Sequence, residues 1–150
     1  MSALKARITD DMKSAMRAGE KERLVTIRML LAAVKQREVD ERTETTDTAV
    51  LQILERLIKQ RRESASQFAA GNRPDLEARE LGEIELLKAY LPVAMSPGEV
   101  DALISEVMAA TGATSMKDMG KVMAGLREKA QGRADFATMG EQVKARLAPK

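Results

Sequence analysis

The chain contains no cysteine and no histidine. The first absence excludes disulfides, thiolate nucleophiles and thiolate metal ligands. The second removes the usual general base near neutrality and the commonest metal ligand. Tryptophan is also missing, and one tyrosine and two phenylalanines hold the aromatic content to 2%. The interior must therefore be built from aliphatic side chains and from 10 methionines, whose flexible thioethers fill irregular gaps. No apolar run approaches the ~20 residues that span a bilayer, so no membrane association is expected. The opening MSALKARITDDMK mixes acids with bases, unlike a secretory signal or a transit peptide, and a cytoplasmic protein is expected.

Apolar residues make up 44% of the 150 residues and charged residues 32%, which suits an ordered, water-exposed domain with a core. Apolar positions recur at helical spacing throughout. Ser2 caps a first helix with Leu4, Ile8, Met12 and Met16 inward, closed by Gly19. A second begins near Glu20, with Leu24, Ile27, Leu30, Leu31 and Val34 inward, and runs into the charged stretch Val39–Asp47. Asp47 or Thr48 caps a third, lined by Val50, Leu51, Leu54, Leu57, Ile58, Ala65 and Phe68. After Gly71-Asn72-Arg73-Pro74-Asp75, a glycine stop and a proline start, Leu76, Leu81, Ile84, Leu87 and Leu91 line a fourth.

Pro92 to Pro97 is the clearest boundary, since a proline pushes the residue before it towards extended geometry. Ser96-Pro97-Gly98-Glu99 then forms a capping box for a fifth helix with Val100, Leu103, Ile104, Val107 and Met108 inward, ended by Gly112. A sixth follows Ser115, and Asp135 caps a seventh with Phe136, Met139, Val143 and Leu147 inward. No segment alternates with period two, so no strand is expected. The expected architecture is all-α: a four-helix domain over 1–92 and a smaller three-helix bundle over 96–150, with one continuous bundle as the alternative.

The sixth-helix stretch, Ser115–Asp135, is the hardest to explain as plain core. Met116, Met119, Val122, Met123 and Leu126 give it one apolar face, and Gly132 is placed to close it. Gly120 and Gly125 lie inside the pattern, where each costs up to about 1 kcal/mol relative to alanine. They call for a close approach, by a neighbouring helix or by a ligand backbone. Lys117, Lys121, Arg127, Lys129 and Arg133 make the stretch basic. From Ser115 to Lys150, eight cations (117, 121, 127, 129, 133, 144, 146, 150) face four acids (118, 128, 135, 141), a net of +4 against +2 for the whole chain. Such a surface suits phosphates, and equally a solvated helix face.

Other candidates are weaker. Lys59, Arg61 and Arg62 form a second basic cluster, but Glu55 precedes Lys59 in the favourable i,i+4 order, as in a surface ion-pair network. Asp10-Asp11 and Asp40-Glu41 are adjacent pairs that diverge on a helix and read as solvated acids. Ser64 and Ser66 have no nucleophile elbow and no histidine partner. Neither a phosphate-cradling loop nor a metal-ligand set is present, so no cofactor and no metal is expected. With so few aromatics, any RNA contact would use shape and backbone rather than stacked bases.

Five blocks in order carry a resemblance: Lys35-Gln36-Arg37-Glu38-Val39-Asp40-Glu41-Arg42, Ile58-Lys59-Gln60-Arg61-Arg62-Glu63-Ser64, Tyr90-Leu91-Pro92, Asp118-Met119-Gly120-Lys121-Val122-Met123 and Gly132-Arg133-Ala134-Asp135. Together they resemble the YqeY-like proteins over almost the whole chain. Residues 96–150 resemble the C-terminal tail of the GatB subunit of tRNA-dependent amidotransferase. The resemblance implies an all-helical fold and an accessory role beside tRNA or an aminoacyl-tRNA-related enzyme, linked to carbon–nitrogen ligation with glutamine as amido donor. Nothing in the chain resembles the large catalytic domain of that subunit, so no catalytic residue carries over. The alternative is a protein–protein adaptor that takes up a partner helix in Met-rich grooves.

Overall fold

A computed structural model describes residues 2–131 and 133–148; Gly132, expected to close the sixth helix, and Lys150 of the charge count lie outside them. The described residues form seven α-helices and no strand, so the protein is all-α. The chain divides into two compact units, Met1–Leu91 and Pro92–Lys150.

In the first unit, α1 (Ala3–Ala18) starts where the Ser2 hydroxyl accepts from the Lys5 amide at 3.0 Å. α2 spans Lys21–Glu41, α3 Asp47–Ala70 and α4 Pro74–Lys88. Ile8 and Ala15 of α1, Ile27, Leu30 and Val34 of α2, Val50, Leu54 and Ile58 of α3, and Ile84 and Leu87 of α4 close one core. Truncating one such leucine to alanine costs about 2–5 kcal/mol. Among the expected core residues, Met16 is 51% exposed and Leu81 47%. The stripe of Ile8 and Met12 continues through Ala15, a full two turns on from Ile8, which rotates Met16 away. Leu81 likewise falls outside the arc of Ile84 and Leu87.

The cap of α3 is Thr46, whose hydroxyl accepts from the Ala49 amide at 3.2 Å. Asp47, one of the two residues expected there, serves α1 instead: its carboxylate accepts from the Ser2 hydroxyl and, at 3.1 Å, from the Leu4 amide. Gly71 is the C-cap of α3, as expected, with φ −84°, and the left-handed residue is the next one, Asn72, φ +57°. The Asn72 and Arg73 amides then reach Ala69 and Phe68 carbonyls at 3.2 and 2.9 Å, closing a Schellman motif. α2 ends similarly on Arg42, φ +54°.

In the second unit, α5 (Pro97–Thr111) begins with the expected capping box. The Ser96 hydroxyl accepts from the Glu99 amide at 3.1 Å, and Glu99 accepts from the Ser96 amide at 3.3 Å. A 3-10 turn, Met116–Asp118, leads into α6 (Met119–Lys129), so the turn intervenes between Ser115 and the α-helix. Asp135 caps α7 (Phe136–Leu147) through the Ala137 amide at 3.0 Å. Val100, Ile104 and Val107 of α5, Val122, Met123 and Leu126 of α6, and Met139, Val143 and Leu147 of α7 form a second core. The methionines serve these interiors in the main: Met123 and Met139 are buried, and Met12, Met95, Met108 and Met119 pack onto the cores. Met116, expected on the apolar face, is 40% exposed.

Candidate functional site

α6 turns Val122, Met123 and Leu126 into its core, which sets its outer face by the helical period. Gly120, Lys121, Ala124 and Arg127 lie on that outer face, all exposed, and Lys117 stands one turn before Lys121, also exposed. The start is held by Asp118, whose carboxylate accepts from the Thr114 and Ser115 amides at 3.0 and 3.2 Å. Those amides, with the Lys121 charge, hold its carboxyl below the ordinary carboxylate value. A Cβ placed on Gly120 would meet nothing within 4 Å, so the face is open there. Lys117, Lys121 and Arg127 are not among the ion-paired side chains of the described residues.

The remaining expected residues sit elsewhere. Lys129 points to α5 and pairs with Glu106 at 2.7 Å. Arg133 ties down the start of its unit. Its Nε donates to the Val93 carbonyl at 2.9 Å, a second guanidinium nitrogen reaches Glu99 at 3.2 Å, and its carbonyl accepts from the Met95 amide at 2.8 Å. Gly125 faces α5, where an added Cβ would stand 2.8 Å from Val107 Cγ1. The chain thus brings Lys117, Lys121 and Arg127 together around Gly120 and Ala124, and directs Lys129, Arg133 and Gly125 inward or sideways.

In the first unit, Arg61 of the second basic cluster is buried; it donates to Glu83 at 3.0 Å and to the Leu57 carbonyl at 3.2 Å, and also contacts Met29 Sδ. Lys59 and Arg62 remain exposed. Sequence reasoning missed a cavity of about 200 Å³ whose lining includes Ser2, Lys5, Thr9, Asp10, Glu38 and Thr45. Lys5 Nζ donates to both Glu38 oxygens at 2.8 and 3.0 Å, and the Thr45 amide and hydroxyl reach the same carboxylate at 2.9 and 3.2 Å. The Lys5 and Thr45 hydrogen bonds hold Glu38 below the ordinary carboxylate value, which makes it a poor general base. The only signal for this site is that Glu38 lies in the Lys35–Arg42 block. Among the described residues, no group of three or more acidic, cysteine or histidine side chains could hold a metal ion, and no helix is long and apolar enough to cross a membrane.

The described residues thus define a small all-helical protein of two units. The chain belongs to the Yqey-like protein family, whose model matches residues 5–147. It is similar to the protein "Altered inheritance of mitochondria protein 41, mitochondrial" from three yeasts. With that of Lachancea thermotolerans it shares 41% identity over 107 residues, 69% of this chain and 57% of the relative. The Kluyveromyces lactis protein is 37% identical over the same shares, and the Eremothecium gossypii protein 37% identical over 72% of this chain and 63% of the relative. The chain therefore spans about three fifths of the length of these curated relatives. Their names overturn the expectation of a cytoplasmic protein, because they point to a mitochondrial setting. The composition of a folded helical domain carries no address, which is why the reading from the first residues failed.

Proposed function

We propose that this protein is a non-catalytic accessory factor that binds tRNA through the outer face of α6 and assists tRNA-dependent amide transfer. One observation carries the reading: Lys117, Lys121 and Arg127, exposed and in no ion pair among the described residues, share the outer side of the helix with Gly120, where an added Cβ would meet open space. Phosphates need cations on a common surface, and the small residues Gly120 and Ala124 let a sugar–phosphate backbone approach the helix. The link to amide transfer rests on the resemblance of residues 96–150 to the amidotransferase tail. On this reading the three-helix part binds and the four-helix part is a separate module.

The test is a filter-binding titration of the full chain against bulk tRNA between 50 and 200 mM salt. Three phosphate contacts predict a log–log salt slope of about −2 to −3, a loss of roughly 20–40-fold over that range. Lys121→Glu/Arg127→Glu should abolish saturable binding with unchanged helicity. Arg133 is unsuited to this test, because reversing it would also break its contacts to Val93 and Glu99. Absence of binding at 50 mM salt removes tRNA as a direct ligand.

A further inference from the structure

α2 carries apolar residues on two opposite sides. Ile27, Leu30 and Val34 are buried in the core of the first unit. On the other side stand Lys21, Val25, Arg28, Ala32, Lys35 and Val39, with Arg42 at the C-cap, every one exposed. Val25 and Val39 are among the most exposed large apolar side chains, at 57% and 61%. The spacing runs four, three, four, three, four, three: a heptad seam held through three repeats, within an arc of about 100° on a straight helix. The chemistry alternates with it. Cations occupy one heptad position, and Val, Ala and Val the other.

The cations of this seam have no acidic partner among the described residues, whereas the other two arginines of α2 are engaged within the unit. Arg23 pairs with Glu20 at 3.3 Å, and Arg37 with Glu41 at 3.0 Å. Three acids of α2 are engaged elsewhere: Glu38 holds Lys5, Asp40 accepts from Gln36 at 2.8 Å, and Glu41 pairs with Arg37. We infer that the outer face of α2 is a docking seam for an acidic amphipathic helix of a partner protein. Val25, Ala32 and Val39 pack against its apolar positions, and Lys21, Arg28, Lys35 and Arg42 meet its carboxylates.

Two alternatives fit less well. Successive cations stand about 10.5 Å apart along the axis, with an apolar side chain filling each gap. A phosphate backbone offers those side chains nothing to pack against, but a helix laid along the seam buries them. A second copy of the same face would set cation against cation. A helix of this chemistry needs about three heptads, roughly 30 Å, to cover the seam. The inference concerns α2 alone and is independent of RNA binding by α6.

The experiment uses the full chain and a fluorescent synthetic peptide of three heptads, with Leu at one core position and Glu at the other. Fluorescence anisotropy at physiological salt should show saturable binding, with a gain of peptide helicity by circular dichroism. A peptide with Lys in place of each Glu, and a scrambled peptide of the same composition, should bind at least tenfold more weakly. Arg28→Glu/Lys35→Glu should lose the Glu peptide and gain the Lys peptide, and Val25→Ser/Val39→Ser should weaken the Glu peptide at least tenfold. All four side chains are exposed, so helicity of the protein should not change. The inference is overturned if no peptide binds, if the scrambled peptide binds as well as the heptad one, or if the valine variant binds like the parent. It is equally overturned if tRNA binding is lost in the Arg28/Lys35 variant and kept in the valine variant, which would assign the face to phosphates.

Discussion

The Tyr90 hydroxyl donates to Asp11 Oδ2 at 2.6 Å, joining the residue after α4 to the middle of α1 across 79 positions of sequence. Arg7 lies over the tyrosine ring, 5.0 Å from its centroid, and donates to the Ala89 carbonyl at 3.2 Å. Tyr90 is only 6% exposed, so this contact anchors the end of the first unit to its core. Asp11, which looks like a solvated acid in the sequence, is one half of a part-buried tether.

Tyr90→Phe should destabilise the protein by about 1–2 kcal/mol at neutral pH, because the hydroxyl donor is lost beside a half-buried carboxylate. Burial first, and then the Asp11 hydrogen bond, push the phenol up to about 12. A raised value in the folded state stabilises fully below the unfolded value near 10 and is lost as pH rises through 12. Denaturant midpoints of the parent should therefore fall between pH 10 and 12 more steeply than those of Tyr90→Phe. Parallel curves would show that the phenol does not titrate with unfolding.

Glu38 should make itself felt at the acid end. Its carboxyl lies below the ordinary 4.5 when folded, so its contribution is present above that value and lost as pH falls through the lower, folded one. Glu38→Gln should flatten the decline of stability below pH 4.5 and lower stability at pH 7 by about 1 kcal/mol. Thermal melts of both proteins from pH 3 to 7 would check this. A decline of equal slope in the variant would exclude Glu38 as its source.

The two glycines of α6 should respond in opposite directions. Gly120→Ala meets open space and should gain roughly 0.5–1 kcal/mol from helix propensity and a less flexible unfolded chain. Gly125→Ala places its Cβ 2.8 Å from Val107 Cγ1, so the Val107 side chain or α5 must give way and about 1–3 kcal/mol is lost. Val107→Ala should relieve part of that loss in the double variant, a coupling that a double-mutant cycle measures. Additive effects would mean that the two side chains do not compete for space.

Features whose physics is complete within four or five residues were legible in the chain. Ser2, the Ser96–Glu99 box, Pro74, Asp135 and the left-handed Gly19 and Gly112 are all where the sequence reading puts them. Hydrophobic spacing at 3.6 residues located the helices for the same reason: a helix repeats its own face whatever it packs against. The left-handed Arg42 and Asn72 were not legible, because neither is glycine and each is held by the hydrogen bonds that close its helix end. The outer seam of α2 was not legible, because exposure and ion pairing, which spacing alone does not report, are what set its valines and cations apart.

The sequence by itself determined an all-helical protein, its caps and turns, the absence of thiol and imidazole chemistry, and the basic character of the stretch after Ser115. Only the tertiary structure decided which cations are drawn into ion pairs among the described residues. Lys129 and Arg133 look identical to Lys121 and Arg127 in a list of charges, yet Glu106 and Glu99 of α5 engage the first two and leave the others open. Ion pairing and burial depend on what lies across the core, tens of residues away. Local periodicity reports only which face a side chain shares with its own helix.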